Sequence, residues 1–329
     1  MNGLGDMPSG SFRVFRTLAE VLPGFGPTVA AIGNFDGVHR GHQEILSAVS
    51  REARERNALA VAVTFDPHPE QALRPAQAPK LIAPLAERLR LLARTGIDAV
   101  LVLPFDAELA ALSAREFVQR ILVGLLGVCS IHEGENFRFG HGARAGVREL
   151  KEFGAEFGFA VRVHPPVRVR GLEVSSSAIR ALIAAGDMRR ARWMLGRPFN
   201  LFSTPQRGRG IGSRLLVPTV NLAPCNGLLP ALGVYVTRLR IGDRLGGAGR
   251  AFESVTNAGN RPTFGEPSFA IESHILNFEP VDLDDQTPLE LEFLLRLREE
   301  IKFPSPDALK AQIFRDVARA KRYFRLCPS

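Results

Sequence analysis

The stretch AAIGNFDGVHRGHQEIL, residues 30–46, decides the fold of the first half of the chain. An apolar run ends in a Gly-Asn-Phe-Asp-Gly turn, and His39 and His42 then open a segment with apolar residues at helical spacing. A buried strand that leads through such a turn into a helix is the repeating unit of an open α/β sheet. Ligands of these sheets bind at the carboxyl ends of the strands, beside helix N-termini. The stretch therefore predicts a fold class and the position of a site.

Strands and helices alternate as far as residue 196. Continuous apolar runs predict buried strands at 28–35, 58–66, 98–105 and 128–134. Apolar residues recur at helical spacing from Gln43 onward, and again within 85–96, 146–158, 175–187 and 188–197. Ser113 and Glu116 form a capping box ahead of another helix. The alternation predicts an open α/β sheet with right-handed crossovers over residues 1–196.

The pattern changes near residue 197. Short apolar strands at 233–242, 252–259, 269–278 and 289–298 are separated by Gly, Pro and Asn, which is typical of an antiparallel β-barrel or sandwich. One amphipathic helix, 307–324, closes the chain. We therefore expect a second domain at 197–329.

The bulk composition limits the class of protein. A chain of 329 residues with 45% hydrophobic and 23% charged residues is an ordinary globular protein of about two domains. No apolar run approaches the ~18 residues that span a bilayer, the start lacks the pattern of a signal peptide, and the three cysteines are far apart. These features predict a cytoplasmic protein without a membrane association. A net charge of +8 favours anionic partners, but the charge is scattered, and nucleic acid is a minority expectation.

The first candidate site lies in the opening stretch. Gly33 and Gly37 allow a tight turn, and Gly41 allows a ligand to approach a helix N-terminus, where free N–H groups favour phosphate. His39 and His42 can donate hydrogen bonds to phosphoryl oxygens as charge develops in a transition state. Neither a carboxylate pair nor a serine nucleophile accompanies them, which favours direct transfer over a covalent intermediate.

The HRGH motif resembles the HxGH signature of the nucleotidyltransferase superfamily, and GNFDGVHRGH resembles its form in FAD synthetases. VTFDPHP, GENFRFG and SSSAIR match further motifs in order, with Ser177 where threonine is usual. The resemblance implies a Rossmann-like nucleotidyltransferase domain with His39 and His42 as catalytic residues and Arg180 on the β- and γ-phosphates of ATP. It implies that the ATP and phosphate contacts come from Gly33, Asn34, Phe35, Asp36, Gly41, Asn136, Ser175, Ser176, Ser177 and Arg180.

The second candidate site lies in the β-rich half. RGRGIGSRLLVPTVNL, residues 207–222, combines glycines that can cradle phosphates with Thr and Asn oxygens suited to Mg²⁺. NAGNRPTFG, residues 257–265, is a second polar loop. In AIESHIL, residues 270–276, alternation places Glu272 and His274 on one face. A glutamate on a strand beside a metal-phosphate site is a candidate general base.

This half resembles riboflavin kinase, whose PTxN motif is PTVN here, followed by matching NAGNRPTFG and ESHIL segments. The resemblance implies that Thr219 and Asn221 hold Mg²⁺ and that Glu272 is the catalytic base. Phosphate contacts are expected from Gly208, Gly210, Gly212 and Ser213. The family usually has glycine where this chain has Leu216. We expect this difference to change how closely the backbone wraps the nucleotide, and with it the rate and affinity of the kinase.

Together the two halves resemble the bacterial bifunctional riboflavin kinase/FAD synthetase over residues 28 to about 325. The resemblance implies that riboflavin and ATP give FMN, and that FMN and a second ATP give FAD and pyrophosphate. The implied cofactor is Mg²⁺, the partners are ATP, riboflavin, FMN and FAD, and the expected state is a monomer or weak homo-oligomer.

Three alternatives stay open at this stage. In the first, one domain is degenerate and the enzyme has a single activity. Leu216 then makes the kinase the activity that is more readily lost. Alternatively, the adenylyl acceptor is nicotinate mononucleotide or phosphopantetheine, although the second half argues against this. The third alternative is a non-enzymatic basic protein that binds RNA or DNA, with strongly salt-sensitive affinity.

Overall fold

The computed structural model describes residues 12–206, 219–225, 227–242, 249–261, 268–276 and 283–327. The chain divides into two compact units, Met1–Ser176 and Ser177–Ser329. In the described ranges, none of the helices is both long and apolar enough to cross a membrane. Four of the predicted phosphate contacts, Gly208, Gly210, Gly212 and Ser213, lie outside the described residues, as does Leu216.

The first unit alternates strands and helices as predicted. Its strands are β1 (Arg13–Phe15), β2 (Thr28–Ile32), β3 (Leu59–Asp66), β4 (Ala99–Pro104), β5 (Val128–Gly134), β6 (Arg138–Phe139), β7 (Ala145–Gly146), β8 (Ala160–His164), β9 (Arg168–Val169) and β10 (Leu172–Glu173). Its helices are α1 (Arg40–Glu55), α2 (Pro69–Leu73), α3 (Leu85–Ala93), α4 (Ala107–Ala111), α5 (Ala114–Phe117) and α6 (Val147–Phe157). Short 3₁₀ turns lie at Leu18–Glu20, Pro75–Gln77 and His141–Ala143, and α5 continues as a π-helical segment, Val118–Val123.

A six-stranded parallel sheet in the order β1-β4-β3-β2-β5-β8 forms the centre of this unit. Every residue of β2 is buried, as expected for a central parallel strand covered on both faces. On one face Leu46 of α1 and Leu92 of α3 pack in one cluster with Val29. On the other face Ile121 and Leu150 pack in a cluster with Ile32. Each such buried side chain contributes about 1.5–3 kcal/mol.

The predicted capping box is confirmed. The Ser113 hydroxyl accepts a hydrogen bond from the Glu116 N–H at 3.2 Å, and the Glu116 carboxylate accepts one from the Ser113 N–H at 2.8 Å. The sequence did not predict β1, which pairs with β4 at the edge of the sheet, or the two small antiparallel pairs β6–β7 and β9–β10. These strands are two or three residues long, too short for a periodic signal.

The second unit begins with two helices, α7 (Ser176–Ala184, from the last residue of the first unit) and α8 (Met188–Leu195). Its strands are β11 (Phe199–Ser203), β12 (Thr219–Leu222), β13 (Gly233–Ile241), β14 (Arg250–Arg261), β15 (Ser268–Ile275) and β16 (Leu289–Arg298), and the helix α9 (Pro306–Leu326) follows. α7 and α8 therefore group by compactness with the strands that follow them. The functional boundary predicted at 196/197 stays a prediction.

The strands of the second unit form an antiparallel sheet in the order β11-β16-β13-β14-β15-β12. Its two edges meet, because the Gln206 N–H donates to the Asn221 carbonyl and the Ala223 N–H to the Thr204 carbonyl, both at 2.8 Å. The sheet therefore curls into the predicted barrel. One face is the interior and includes buried Tyr235 and Phe293. On the outer face Ala320 and Phe324 of α9 pack in one cluster with valines of β13 and β14.

A chain of buried hydroxyl groups crosses the barrel interior. Thr237 hydrogen-bonds to Ser254 at 2.8 Å and to Thr256 at 2.6 Å, and the Thr256 hydroxyl donates to Ser273 at 3.0 Å. All four residues are inaccessible to solvent. Since buried polar groups cost stability unless they are paired, this mutual pairing lets β13, β14 and β15 carry polar residues inside the barrel.

Candidate functional site

His39 caps the N-terminus of α1. Its Nδ1 accepts a hydrogen bond from the backbone N–H of His42 at 3.4 Å, so the helix begins at Arg40, three residues before the apolar spacing starts. A neutral imidazole that accepts at Nδ1 carries its proton at Nε2. The capping interaction thus fixes the ring at the N-terminus of α1, beside the positive end of the helix dipole.

The two histidine rings are stacked. Their centroids are 3.6 Å apart with an interplanar angle of 17°, and Phe35 meets the His42 ring edge-on at 5.2 Å. Burial and the neighbouring His39 lower the pKa of His42 well below its ordinary value, so His42 is neutral at neutral pH. Its Nδ1 is buried and has no hydrogen-bond partner among the described residues.

The backbone between the strand and α1 is strained at two non-glycine residues. Phe35 has φ +47° and Val38 has φ +37°, on either side of Gly37 with φ +77°. A Cβ at Gly37 would also lie 2.9 Å from Ile82. At Gly41 a Cβ would lie 3.2 Å from the His39 ring, so the glycine makes room for the stacked histidines themselves. Positive φ at non-glycine residues costs about 1–3 kcal/mol each and concentrates at functional sites.

Asp36 anchors this loop from inside. Its buried carboxylate accepts hydrogen bonds from the N–H groups of Ile82 and Ala83 at 3.0–3.1 Å. The Ser176 hydroxyl donates to the Asp36 carbonyl at 3.1 Å. The structure therefore brings the GNFDG turn and Ser176, the second residue of the SSSAIR motif, together.

The remaining predicted residues of the first site are more scattered. The Asn34 carbonyl accepts from the Thr64 hydroxyl at 3.3 Å. Asn136 is exposed in the turn after β5, and Ser175 is half-buried directly before α7. Ser177 and Arg180 lie on α7 in the second compact unit. Their roles as ligand contacts stay predictions.

Arg88 was not among the predicted site residues. This side chain is completely buried and donates to the Asn34 carbonyl at 2.8 Å and the Phe65 carbonyl at 3.1 Å. It therefore ties together the loops that follow β2 and β3, the GNFDG and FDPHP segments. Asp66 lies 3.7 Å away. The signal was available, because Arg88 lies three residues after Leu85 and four before Leu92, in the apolar stripe of the helix.

Glu133 was also missed. Its Oε1 accepts a hydrogen bond from the Ile32 N–H at 2.6 Å, directly before the glycine-rich turn. Burial raises the pKa of Glu133 well above its ordinary value, and the hydrogen bond from Ile32 opposes this only in part. An acidic residue within a strand expected to be buried was the sequence signal. The side chain fixes the carboxyl end of β2 against β5.

The second candidate site lies on β12 and β15. The Thr219 hydroxyl donates to Glu272 Oε1 at 2.9 Å, and Asn221 pairs in register with Glu272. This contact leaves Glu272 Oε2 without a partner among the described residues. His274 pairs in register with Thr219, so the side chains of Glu272 and His274 lie on the face of the sheet that carries Thr219 and Asn221.

The oxygen donors of this site fit a hard cation. Thr219 and Asn221 supply a hydroxyl and an amide oxygen beside the Glu272 carboxylate, which are ligand types that Mg²⁺ accepts together with phosphate and water. Over the ranges that the structure describes, no group of three or more His, Cys, Asp and Glu side chains is arranged to hold a metal. A metal held by Thr219 and Asn221 would need further ligands from phosphate or water.

Two sequence-family profiles match the chain. The profile of FAD synthetase matches residues 25–178, and that of riboflavin kinase matches residues 195–324. The first range contains the stacked histidines and the second contains Thr219, Asn221 and Glu272.

Individual relatives match almost the whole chain. The bifunctional riboflavin kinase/FMN adenylyltransferase of Pseudomonas fluorescens is 38% identical over 310 residues, which cover 94% of this chain and 97% of the relative. The enzyme of the same description from Escherichia coli K12 is 34% identical over 298 residues, with 91% and 93% coverage. A crystal structure described as a macrolide-efflux protein from Streptococcus pneumoniae superposes with a TM-score of 0.82 at 27% identity, over 94% of this chain and 98% of that one.

Proposed function

The chain belongs to the bifunctional riboflavin kinase/FMN adenylyltransferase family, and we propose that each activity is carried out by one of the two motif clusters described above. The enzyme uses ATP to phosphorylate riboflavin to FMN and to adenylylate FMN to FAD. The assignment rests on the two family profiles, because each profile contains one of the two motif clusters. The histidine pair falls in one and the Thr-Asn-Glu set in the other.

In the adenylylation step a phosphate oxygen of FMN attacks the α-phosphorus of ATP, and the bond to the bridging oxygen breaks to release pyrophosphate. We assign His39 and His42 to the oxygens of the pentavalent α-phosphoryl group. Support comes from the His39 cap, which directs the ring to the helix N-terminus, and from the unpartnered, neutral His42. Such preorganised donors stabilise developing charge without reorganising.

The phosphate contacts proposed for this step are Gly33, Asn34, Phe35, Asp36, Gly41, Asn136, Ser175, Ser176, Ser177 and Arg180. The Asp36 carboxylate is directed to the backbone at Ile82 and Ala83. Its contribution is therefore to hold the loop whose N–H groups meet the ligand, because a carboxylate itself would repel phosphate.

In the kinase step we assign Glu272 as the general base. It takes the proton of the ribityl 5′-hydroxyl while that oxygen attacks the γ-phosphorus, and ADP leaves. The Thr219 hydroxyl, 2.9 Å from Oε1, orients the carboxylate so that Oε2 faces the substrate. Gly208, Gly210, Gly212 and Ser213 are proposed as phosphate contacts of the loop that precedes Thr219.

The family generally requires a divalent metal, and we propose that Mg²⁺ is held by Thr219 and Asn221 in the kinase site. When bound, it neutralises phosphate charge. The protein's own part is to present one hydroxyl and one amide oxygen at fixed spacing on β12.

We further propose a functional boundary at 196/197, so that residues 1–196 adenylylate and 197–329 phosphorylate. A cytoplasmic enzyme that works as a monomer or weak homo-oligomer, with no nucleic acid and no membrane among its partners, fits the scattered charge of the chain.

Paired variants test the assignment. His39→Ala should stop FAD formation from supplied FMN and leave FMN formation from riboflavin intact. Glu272→Gln should do the reverse. Loss of both activities in either variant would contradict the division of labour, provided that circular dichroism shows the variant folded.

A further inference from the structure

A groove separate from both candidate sites lies on the first unit, between α1 and the edge strand β8. Its volume is 590 Å³, within the range of small-molecule sites. The lining residues on α1 form one stripe along the helix. The rest of the lining comes from β5, α6 and β8. The groove's charged and titratable lining includes Arg51, Glu52, His132, Lys151, Arg162 and His164.

A chain of three titratable side chains forms the floor of the groove. His132 Nε2 lies 2.8 Å from Glu52 Oε2, and His132 Nδ1 lies 3.0 Å from His164 Nε2. Burial would raise the pKa of Glu52, but hydrogen bonds from Arg56 and His132 lower it to about 2. Glu52 is therefore an ionised acceptor at neutral pH.

The ionised Glu52 fixes the tautomers of both histidines. Burial lowers the pKa of His132 and of His164, so both rings are neutral at neutral pH. His132 must donate from Nε2 to the carboxylate, which leaves its Nδ1 as an acceptor. His164 then donates from Nε2, so its own Nδ1 carries a lone pair. This atom has no partner among the described residues.

Three cationic side chains line the same groove as His164. Arg51 on α1 and Lys151 on α6 make no ion pair or hydrogen bond with any described residue. Arg162, next to His164 on β8, is 55% exposed at its side chain and only 3.4 Å from Glu52, a carboxylate already bonded to His132 and Arg56. The acidic groups near the groove are Glu52 and Glu55 in its lining and Glu44, whose charge acts on His164.

We propose that this groove binds inorganic phosphate as the monohydrogen dianion. Its P–OH group donates to His164 Nδ1, and its remaining oxygens accept from Arg51, Lys151 and Arg162. The chemistry is selective because a hydrogen-bond acceptor at the floor rejects an anion that brings no proton. The terminal group of a protonated pyrophosphate, which the adenylylation reaction releases, carries the same chemistry. The inference does not depend on the roles proposed for either catalytic site.

Sulfate separates this proposal from simple attraction of anions to basic side chains. It matches phosphate in size and charge but has no proton near neutral pH. Sulfate can therefore bind only if His164 takes up a proton, which its depressed pKa opposes. At about pH 8 phosphate should bind at least tenfold more tightly than sulfate, since each unmade buried hydrogen bond costs about 1–3 kcal/mol. Sulfate affinity should increase as the pH falls toward the ordinary histidine value near 6.5.

The test is a titration followed through the imidazole NMR signals of His164 in the full-length protein, assigned with His164→Gln. Phosphate, pyrophosphate and sulfate are added separately at constant ionic strength. Because the readout is His164 itself, anions bound at the ATP sites do not enter it. We expect saturable shifts with phosphate at about pH 8 and a response to sulfate only at lower pH. Saturation by pyrophosphate at lower concentration than by phosphate would identify the larger anion as the ligand.

Two surface variants keep the test independent of folding. Arg51→Gln combined with Lys151→Gln removes the two unpaired cations and should weaken phosphate binding about tenfold. Arg54→Gln, an exposed arginine on the same helix that does not line the groove, is the matched control and should change nothing. Equal responses of His164 to phosphate and sulfate at pH 8, or unchanged phosphate binding in the double variant, would overturn the proposal.

Discussion

Replacing Arg88 with methionine tests how the first site is held together. Methionine has a similar length and no charge, so it fills the space of the arginine without replacing its donors. The substitution leaves the carbonyls of Asn34 and Phe65 without the hydrogen bonds that they accept at 2.8 and 3.1 Å. Each unsatisfied buried acceptor costs about 1–3 kcal/mol.

Part of that cost is offset, because a buried guanidinium is itself expensive. Arg88 Nε has no partner among the described residues, and burial lowers the pKa of the guanidinium despite nearby Asp66 and Asp36. Removing the charge recovers some of its desolvation penalty. We therefore expect the free energy of unfolding of the first unit to fall by about 2–4 kcal/mol. This is a substantial part of the about 5–15 kcal/mol available to a domain.

The functional effect should be selective. Without Arg88 the turn at Asn34 and the loop after Phe65 are no longer joined, and a shift of about 1 Å in a catalytic loop can cost about 10²-fold in rate. FAD formation from supplied FMN should fall by that order, and FMN formation from riboflavin should stay unchanged. Denaturant unfolding and the two assays measure these effects. Arg88→Lys should be intermediate, because one ammonium group does not reproduce the guanidinium fork.

Arg94→Met at the C-cap of the same helix is the matched control. Arg94 is exposed, and its side chain makes no ion pair or hydrogen bond with any described residue. Its loss should cost no more than about 1 kcal/mol and leave both activities intact. Equal effects of Arg88→Met and Arg94→Met on adenylylation would refute the role of Arg88 in joining the two loops.

Three further predictions concern single side chains. His39→Ala and His42→Ala should each cost about 2–4 kcal/mol of transition-state stabilisation in adenylylation, measured as kcat/KM with FMN, and leave the kinase unaffected; a loss below twofold would remove them from the catalytic set. Glu272→Gln retains an oxygen for the Thr219 hydroxyl but cannot take a proton, so kinase kcat should fall about 10²–10⁴-fold with little change in folding stability; retained turnover would require another base. Glu133→Gln retains the acceptor for Ile32 and removes an ionisable group whose folded pKa is raised. In the wild type the unfolded chain loses this proton near pH 4.3 and the folded chain only at higher pH, so stability falls as the pH rises between the two values. The variant should therefore be more stable than the wild type above the raised pKa, and its unfolding free energy should vary less with pH. The same pH dependence of unfolding in variant and wild type would contradict a raised pKa of Glu133 in the folded protein.

The architecture could be predicted because the apolar residues of both halves recur with clear periods. Buried parallel strands gave continuous apolar runs, and α1 gave helical spacing right after a glycine-rich turn. The first helix nevertheless begins at Arg40, since the His39 ring supplies the cap, which the apolar pattern does not register. The short pairs β6–β7 and β9–β10 were missed because two residues cannot show a period.

The site was less completely predictable because motifs identify the residues facing the ligand and not the residues behind them. Arg88 and Glu133 hold the glycine-rich turn through contacts separated by 54 and 101 residues in sequence. Their charge inside apolar segments was the available signal, but sequence spacing could not show which backbone groups they meet. The groove at His164 depends likewise on β5 and β8 being neighbours in the sheet and on α1 lying beside them.

Whether the chain makes both flavin nucleotides can be measured with a chromatographic product assay on the purified protein with riboflavin, ATP and Mg²⁺, run beside a reaction that starts from FMN. We expect FMN and then FAD in the first reaction, and FAD in the second. FAD from FMN alone would mean that the kinase is impaired, with Leu216 as the first position to exchange for glycine. Formation of neither product by the folded protein would contradict the central claim that both activities reside in this chain.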